Sequence, residues 1–389
     1  MAIDAILSAL AGATEPVVAE RLLLELDQAL TRHRGEAPGR EIAAAALPFA
    51  RHPATTEEPN SPETLAALRA LRVLVTLSPV LPDDAVALLR LRGQEVGAAG
   101  VLALEALVKI AAEVPLVAEH ARRHLLTLDL EAEPGYPGTS SDAAACRVLS
   151  VVARAGTGAE CCIDAIVERC LLSARAARLN LAHVYTAALD ALAAQGPLPV
   201  HVGAAAREVL ELPRVGGAVK GRAWRVLARV SPRPATLVDE LRARLALAQP
   251  DEAQAVVELL EPHLERAEVL EAMVAAARRV ALSAPAVTVL ARAGHITEAV
   301  AVLEALGAGP NADRLAAVEA LDRSATVLPD AVRLLLPFAK DSAKEVRLAA
   351  ARALLRQPSR TDEVVAALDA LRRDRAAAVR ELVARSRAK

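Results

Sequence analysis

Apolar residues near the C-terminus recur at helical spacing. The same pattern returns 33 residues later, as at Val332 and Val365. In the first helix of each copy, three apolar side chains fall on one side of a helix because of their spacing. The two matching sets are Val332, Leu335 and Phe338, and then Val365, Leu368 and Leu371. The spacing therefore predicts two copies of one helical unit in tandem.

A second helix follows in each unit, and it contains a repeated Arg-Leu-Ala-Ala segment. Arg314 and Arg347 begin two such segments one period apart, and Arg380 begins a looser third copy. A pair of short helices cannot bury its apolar faces alone, so pairs of this kind stack on their neighbours and share an elongated core. The pattern predicts an all-α fold, a right-handed α-solenoid of about ten antiparallel helix pairs.

Two aspartates complete the repeated pattern, because Asp341 and Asp374 each lie shortly before a Val-Arg pair that ends in Arg347 or Arg380. This arrangement resembles the HEAT-repeat, armadillo-like family, whose copies carry an Asp in the turn between helices and a Val-Arg near the start of the second helix. The resemblance implies that these four residues bond from one repeat to the next. The first copy lacks the Asp, so the ladder is expected to start only after Arg314.

Weaker echoes of the repeat extend upstream. Arg-Val-Leu segments occupy positions 72–74, 147–149 and 225–227. The separation between successive segments corresponds to about two helical repeats. We therefore expect a single solenoid over residues 1–389, with soft internal breaks at the polar loops 52–64 and 129–142.

Composition supports a helical core and limits the partners. Hydrophobic residues make up 54% of the chain but aromatic residues only 1%, so the core must be built from Ala, Leu and Val. The formal net charge is −2, which argues against a protein that coats nucleic acid along its length. Residues 340–389 nevertheless hold 13 Lys and Arg against 7 Asp and Glu, a net charge of +6 that leaves −8 for residues 1–339.

The sequence also suggests a compartment. The N-terminus has no basic segment before its first apolar run, unlike a secretory signal, and no uncharged apolar run reaches the ~18 residues of a membrane span. Only five of the 46 basic residues are Lys, which together with abundant Ala is typical of a GC-rich, bacterial coding genome. We expect a cytoplasmic bacterial protein without a membrane partner.

Four cysteines lie close together in the sequence, at Cys146, Cys161, Cys162 and Cys170, with His183 not far beyond. Structural zinc sites normally contain a Cys-x2-4-Cys knuckle, which this cluster lacks. Free Cys is common in buried helix faces. We interpret the four as buried structural residues in preference to a metal or redox site.

Other candidate chemistry is weaker. His120 and His124 share a helix face but lack the Glu of a metalloprotease motif, so they are expected to lie on a solvated surface. Acidic pairs after a proline are explained by the helix dipole at a helix start. These pairs are Asp83 with Asp84, and Asp251 with Glu252. No glycine segment has the order of a phosphate-binding loop, and no catalytic residue, cofactor or metal is predicted.

A basic stripe near the C-terminus is the strongest candidate binding site. Arg352 is matched one period later by Arg385, and Arg356 by Lys389, so the four are expected to lie side by side on the second helices. In HEAT solenoids the second helices line the concave surface where partners bind, as the resemblance implies. The stripe could take an acidic peptide, a phosphate group or nucleic acid, or it could be a solvated end cap.

Three alternative hypotheses for the function follow from this sequence. The leading hypothesis is a non-enzymatic scaffold that presents a curved surface to another protein. The second is a nucleic-acid-binding protein similar to the HEAT-like DNA glycosylases, although stacking platforms need aromatic residues that are scarce here. The third is a lyase or isomerase like those among the bilin-attaching HEAT proteins, for which no residue marks a substrate pocket.

Overall fold

A computed structural model describes most of the chain. It covers residues 3–32, 39–53, 60–95, 97–127, 141–173, 181–357 and 361–385. The chain divides into two compact units, residues 1–232 and 233–389. The predicted loops 52–64 and 129–142 both belong to the first unit and fall partly outside the described residues. That a single solenoid runs from end to end stays a prediction.

The described part of the first unit consists of helices and the turns that connect them, with one isolated β-bridge between Leu198 and Val230. Its α-helices are α1 Ile3–Ala11, α2 Pro16–Arg32, α3 Gly39–Ala50, α4 Pro62–Leu77, α5 Asp83–Arg92, α6 Ala98–Leu107, α7 Val114–Thr127, α8 Ser141–Ala155, α9 Ile163–Ile166, α10 Ala182–Ala193, α11 Val200–Glu211 and α12 Gly217–Ala228. Short 3-10 turns occupy Ala111–Glu113 and Gly156–Cys162, and one π-helical turn occupies Val167–Leu171.

The second unit is built in the same way. Its α-helices are α13 Leu237–Leu247, α14 Pro250–Leu260, α15 Ala267–Ala277, α16 Ser283–Arg292, α17 Ile296–Gly307, α18 Asn311–Ser324, α19 Ala331–Leu335, α20 Lys344–Arg356, α21 Asp362–Leu371 and α22 Ala377–Arg385. Short 3-10 turns occupy Glu261–His263 and Leu336–Lys340.

Helix packing follows the chain order in both units. Each odd-numbered helix packs on the even-numbered helix that follows it, which makes one helical hairpin per repeat. Within each unit, every even-numbered helix also packs on the next even-numbered one, so these helices form one continuous layer. Stacked hairpins that contact only near neighbours define an α-solenoid. The predicted all-α solenoid class is confirmed.

Small aliphatic side chains allow the helices to approach closely. In α6, eight of the ten residues are buried, and most of the eight are Ala, Leu or Val. This burial is expected because α4, α5, α7 and α8 all pack on α6. The aromatic residues Tyr185 and Trp224 are both buried in the first unit.

Ion pairs link neighbouring helices of the even-numbered layer in the first unit. Arg72 of α4 donates from Nε to Asp27 Oδ2 of α2 at 3.1 Å, and the Thr76 hydroxyl donates to the other carboxylate oxygen at 2.9 Å. Arg147 of α8 donates to Glu105 of α6 at 2.9 Å. The first two Arg-Val-Leu echoes therefore mark arginines that connect one repeat to the preceding one.

The later repeats carry the same kind of connection. In the first unit, Arg222 of α12 donates to Asp190 of α10 at 2.9 Å. In the second unit, Arg292 pairs with Glu261, and Arg356 pairs with Asp322. An arginine and a carboxylate thus recur between successive repeats of the layer.

A separate ladder of arginines and aspartates runs through the turns of the last three repeats. Arg314 donates to both Asp341 carboxylate oxygens at 2.8 and 3.2 Å, and Arg347 donates to both oxygens of Asp374 at 2.6 and 2.9 Å. Arg380 donates to the Asp374 carbonyl at 2.7 Å. Arg314 therefore takes part in the ladder, although its own repeat lacks the aspartate.

The ladder aspartates also hold the starts of the following helices. Asp341 and Asp374 accept the backbone N–H groups of Ala343 and Ala376 at 2.8 and 2.7 Å. The hydrogen bonds from Arg347 lower the pKa of Asp374, and burial opposes this shift only in part. At Asp341 burial raises the pKa, but the bonds from Arg314 and Ala343 outweigh it and the net shift is downward.

We predict that replacement of Asp374 by Ala weakens the last two repeats by ~2–3 kcal/mol, because buried Arg347 would lose its counter-ion and keep only its two carbonyl acceptors. Hydrogen exchange of the α20 and α22 amides measures this loss as a lower free energy of local opening. Since the folded pKa of Asp374 is lowered, the contribution is present at neutral pH. It is lost as the pH falls below about 4.

The matched control is Glu381→Ala, which removes an exposed carboxylate that lies 3.6 Å from Arg385 in the same helix. Exposed pairs of this kind contribute less than ~0.5 kcal/mol. Equal exchange rates in the two variants would contradict the role assigned to the ladder.

Candidate functional site

The predicted basic stripe is partly neutralised. Arg352 is exposed on α20 and makes no ion pair within the described chain. Arg356, one turn further along the same helix, pairs with Asp322 of α18. Arg385 lies 3.6 Å from Glu381, and Lys389 lies outside the described residues. The stripe is therefore a mixed surface with one unpaired arginine and two paired ones.

A groove of about 840 Å³ opens on the second unit, where Arg356 forms part of its wall. It lies between the C-terminal halves of α18 and α20 and the turn that leads into α19. Polar side chains in its lining include Glu319, Asp322, Arg323, Thr326, Arg356 and Gln357. Both signs of charge are present, so the groove suits a polar partner with charges of both signs.

His120 and His124 are buried, and the prediction of a solvated face was wrong. Only 3% of His120 and 5% of His124 remains exposed. The reason lies in the facing segment: a Cβ added to Gly100 would lie 2.8 Å from the His124 ring, and one added to Gly93 would lie 3.3 Å from His120 Nδ1. The two glycines leave the space that the imidazoles fill.

Each buried imidazole keeps one nitrogen without a hydrogen-bond partner in the described structure, namely Nδ1 of His120 and Nε2 of His124. Burial lowers the pKa of His120, nearby Arg123 lowers it further, and Glu119 opposes the shift. Burial also lowers the pKa of His124, although its hydrogen bond with the Gly93 backbone opposes this. Burial therefore disfavours the charged form of both rings, because an imidazolium there would lose most of its contact with solvent.

The four cysteines occupy different environments. Cys162 and Cys170 are buried, Cys146 is half-buried and Cys161 is exposed. Cys162 lies 3.3 Å from the Ala118 carbonyl, to which its thiol donates. Burial raises the pKa of the Cys162 thiol, and it raises the pKa of Cys170 to about 12. The expectation of buried thiols holds for two residues and fails for Cys161.

The two acidic pairs differ in their contacts. Asp83 and Asp84 lie in the first turn of α5, as expected. Asp251 and Glu252 lie in the first turn of α14, also as expected. Glu252 is in addition only 1% exposed and accepts two hydrogen bonds from Arg244, at 2.6 and 3.0 Å. Its main contact is thus an ion pair between α13 and α14, which no local sequence pattern indicates.

Side chains that could bind a metal ion are dispersed over the parts of the chain that the structure covers. No three His, Cys, Asp or Glu side chains come close enough there to hold a metal ion, and the exposed His183 is not grouped with the cysteines. Among the described helices, none is both long and apolar enough to cross a membrane.

No protein-family model matches the chain, and no curated protein matches its sequence. Several solved structures are similar in fold. An engineered protein is 17% identical, with a TM-score of 0.37 and coverage of 99% of this chain and 98% of the other. A karyopherin bound to a SUMO protease is 12% identical, with a TM-score of 0.44 and coverage of 91% of this chain and 45% of the karyopherin.

A third similar structure concerns tubulin recruitment by microtubule polymerases with arrays of tumor overexpressed gene domains. It is 15% identical, with a TM-score of 0.27 and coverage of 97% of this chain and 92% of the other. All three TM-scores are low, so the class rests on the helix packing itself. The chain is an all-α helical-repeat protein.

We predict that the free energy of unfolding of the first unit decreases as the pH falls from about 7.5 to about 5. Because the folded pKa values of His120 and His124 lie below the ordinary value, the unfolded state binds more protons in this range. The contribution of the two neutral histidines to stability is fully present above the ordinary pKa of about 6.5, and it is lost as the pH falls below that value. Fluorescence of Trp224, which lies in the same unit, reports the transition.

A double variant, His120→Gln with His124→Gln, should flatten this pH dependence. His183→Gln is the control, because His183 is exposed on α10. The assignment is refuted when the double variant keeps the slope of the unchanged protein.

We also predict that one thiol, Cys161, reacts rapidly with a disulfide reagent at neutral pH, because thiolate character and access control the rate. Cys162 and Cys170 should react only on unfolding, and half-buried Cys146 should react slowly. Absorbance of the released thiolate counts the thiols. Cys161→Ser should abolish the fast phase, and a fast phase that survives this change would contradict the burial described above.

Proposed function

We propose that this chain is a HEAT-type interaction scaffold that binds another protein through the groove of its second unit. The repeated Asp and Val-Arg residues support the HEAT assignment, because Arg314 bonds to the Asp341 side chain and Arg347 to the Asp374 side chain, each in the next repeat. The scaffold function is non-enzymatic in this proposal.

The observation that carries the proposal is the open groove of about 840 Å³ on a braced helical layer. The Arg356–Asp322 pair joins α18 to α20 at the groove wall, so the wall is held in place before a partner arrives. Preformed surfaces lose less conformational entropy on binding than flexible ones. A groove of this size accommodates a few side chains of a partner segment.

Charged side chains that remain available give the groove its polarity. Arg323 and Glu319 are exposed and lie one helical turn apart on α18. Arg352 extends the surface along α20, and we assign Arg385 and Lys389 to the same partner-binding stripe. A partner segment with alternating charges would complement this surface.

We predict that the full chain retains a specific protein from native lysate and that Arg323→Glu with Arg356→Glu reduces this retention about tenfold or more. The substitutions place two new carboxylates beside Glu319 and Asp322, so like charges would repel the partner segment. Quantitative mass spectrometry of the retained proteins measures the change.

Arg266→Glu with Arg278→Glu provides the matched control. Both residues are exposed in the same unit, outside the groove lining, and the change in net charge is identical. Equal loss of the same protein in both double variants would show that net charge, not the groove, governs retention. Failure of the unchanged chain to retain any protein would reject the scaffold proposal.

A further inference from the structure

We infer that the turns of the last two repeats form a second docking surface, which binds a short acidic segment of a partner protein. We call this surface the basic edge and define it by five exposed side chains, Lys340, Lys344, Arg373, Arg375 and Arg380. It goes beyond the proposed groove and does not depend on it. Lys344 and Arg356 lie at opposite ends of α20, about 18 Å apart at 1.5 Å per residue.

Direct bonds hold the two turns side by side. Arg375 donates from Nη2 to the Ser342 carbonyl at 2.7 Å, which joins the second turn to the first. Arg347 donates to the Asp341 and Ser342 carbonyls at 2.9 Å and also to Asp374 in the second turn. The spacing between the two groups of basic side chains is therefore fixed by the fold.

The buried ladder neutralises the acidic residues of these turns. Asp341 and Asp374, which would otherwise offset the basic edge, are each paired with an arginine and are only 10% and 8% exposed at the side chain. Two exposed carboxylates remain next to the edge, namely Glu345, 3.8 Å from Lys344, and Glu381, which follows Arg380 in the chain. Five cations and two carboxylates give the surface a net charge of +3.

Several cations of the edge are available to a ligand. Lys340 and Arg373 are exposed and make no side-chain hydrogen bond or ion pair with other described residues. Lys344 is 70% exposed at the side chain, and its contact with Glu345 is at the limit of an ion pair. Arg380 uses Nη1 to bind the Asp374 and Arg375 carbonyls, which positions the guanidinium and leaves its other N–H groups for an acceptor.

The edge has a defined limit. In the preceding repeat, Gly307 and Asn311 occupy the positions of Lys340 and Lys344, one period earlier. The turn of that preceding repeat contains Gly309, and the Asp313 side chain lies directly against Gly309. The positive surface therefore covers two turns and stops at an acidic residue.

These dimensions favour a short acidic peptide. Neighbouring helices pack about 8–10 Å apart, so two adjacent turns are together about 16–20 Å wide, which is the length of about five or six extended residues at ~3.3 Å each. Arginines bind carboxylates through paired N–H donors. A long polyanion fits less well because residues 233–339 of the same unit hold 10 Arg against 15 Asp and Glu, a net charge of −5, which repels a ligand that extends beyond the edge.

The test measures binding of the full chain to a fluorescent peptide of about eight residues rich in Asp and Glu, by anisotropy at low and moderate salt. We expect saturable binding that weakens steeply with salt, because exposed charges are screened over about 10 Å at 0.1 M. Lys340→Glu with Arg373→Glu should raise the dissociation constant about tenfold or more, since neither side chain supports the fold.

Two control variants separate this surface from others. Arg266→Glu with Arg278→Glu makes the same charge change elsewhere in the second unit and should leave peptide binding unchanged. Arg323→Glu with Arg356→Glu should also leave it unchanged, so failure of the groove proposal and failure of this one give different results. Circular dichroism of each variant verifies that the helices are intact.

Three outcomes would overturn the inference. The first is equal binding of a matched peptide with Gln and Asn in place of the acids. The second is equal loss of binding in the basic-edge and control variants. The third is tighter binding of duplex DNA than of the acidic peptide, with the same dependence on Lys340 and Arg373, which would assign the edge to nucleic acid.

Discussion

The bond between an arginine and a carboxylate of the neighbouring repeat is the interaction on which the regularity of this protein depends. Aliphatic packing alone sets the distance between helices but tolerates sliding, because Ala, Leu and Val contacts have no direction. A bidentate ion pair such as Arg347 with Asp374 fixes the register of neighbouring repeats as well as the distance between them. The same side chains bind backbone carbonyls and helix starts, so one residue pair orders a whole turn.

This arrangement explains how a chain with almost no aromatic residues keeps a defined surface. Buried ion pairs are a poor source of net stability, but they specify which helix faces which. In most pairs of the even-numbered layer the arginine is the more exposed partner, as at Arg72 and Asp27, whose side chains are 60% and 12% exposed. The groove lies at the Arg356–Asp322 pair of this layer, whereas the basic edge lies on the turns that the ladder joins.

The sequence predicted those parts of the molecule that repeat. The fixed period identified the hairpin unit, and the resemblance to HEAT repeats implied a ladder through Asp341 and Arg347. Features that depend on a single contact between distant segments leave no repeated pattern in the sequence. His120 and His124 look like a solvated pair because nothing in their own helix shows that Gly93 and Gly100 make room for them, and only the neighbouring glycines could have indicated it.

The ladder has a consequence for how such a chain can change in length. Its bonds join residues 27 positions apart, and the pairs of the helical layer join residues no more than 49 apart. Within the described ranges, no bond of this kind joins one end of a unit to the other. Folding can therefore begin at any hairpin and extend one hairpin at a time. Duplication or loss of one hairpin leaves the bonds among the other hairpins intact, which makes the number of repeats the easiest property of this architecture for evolution to alter.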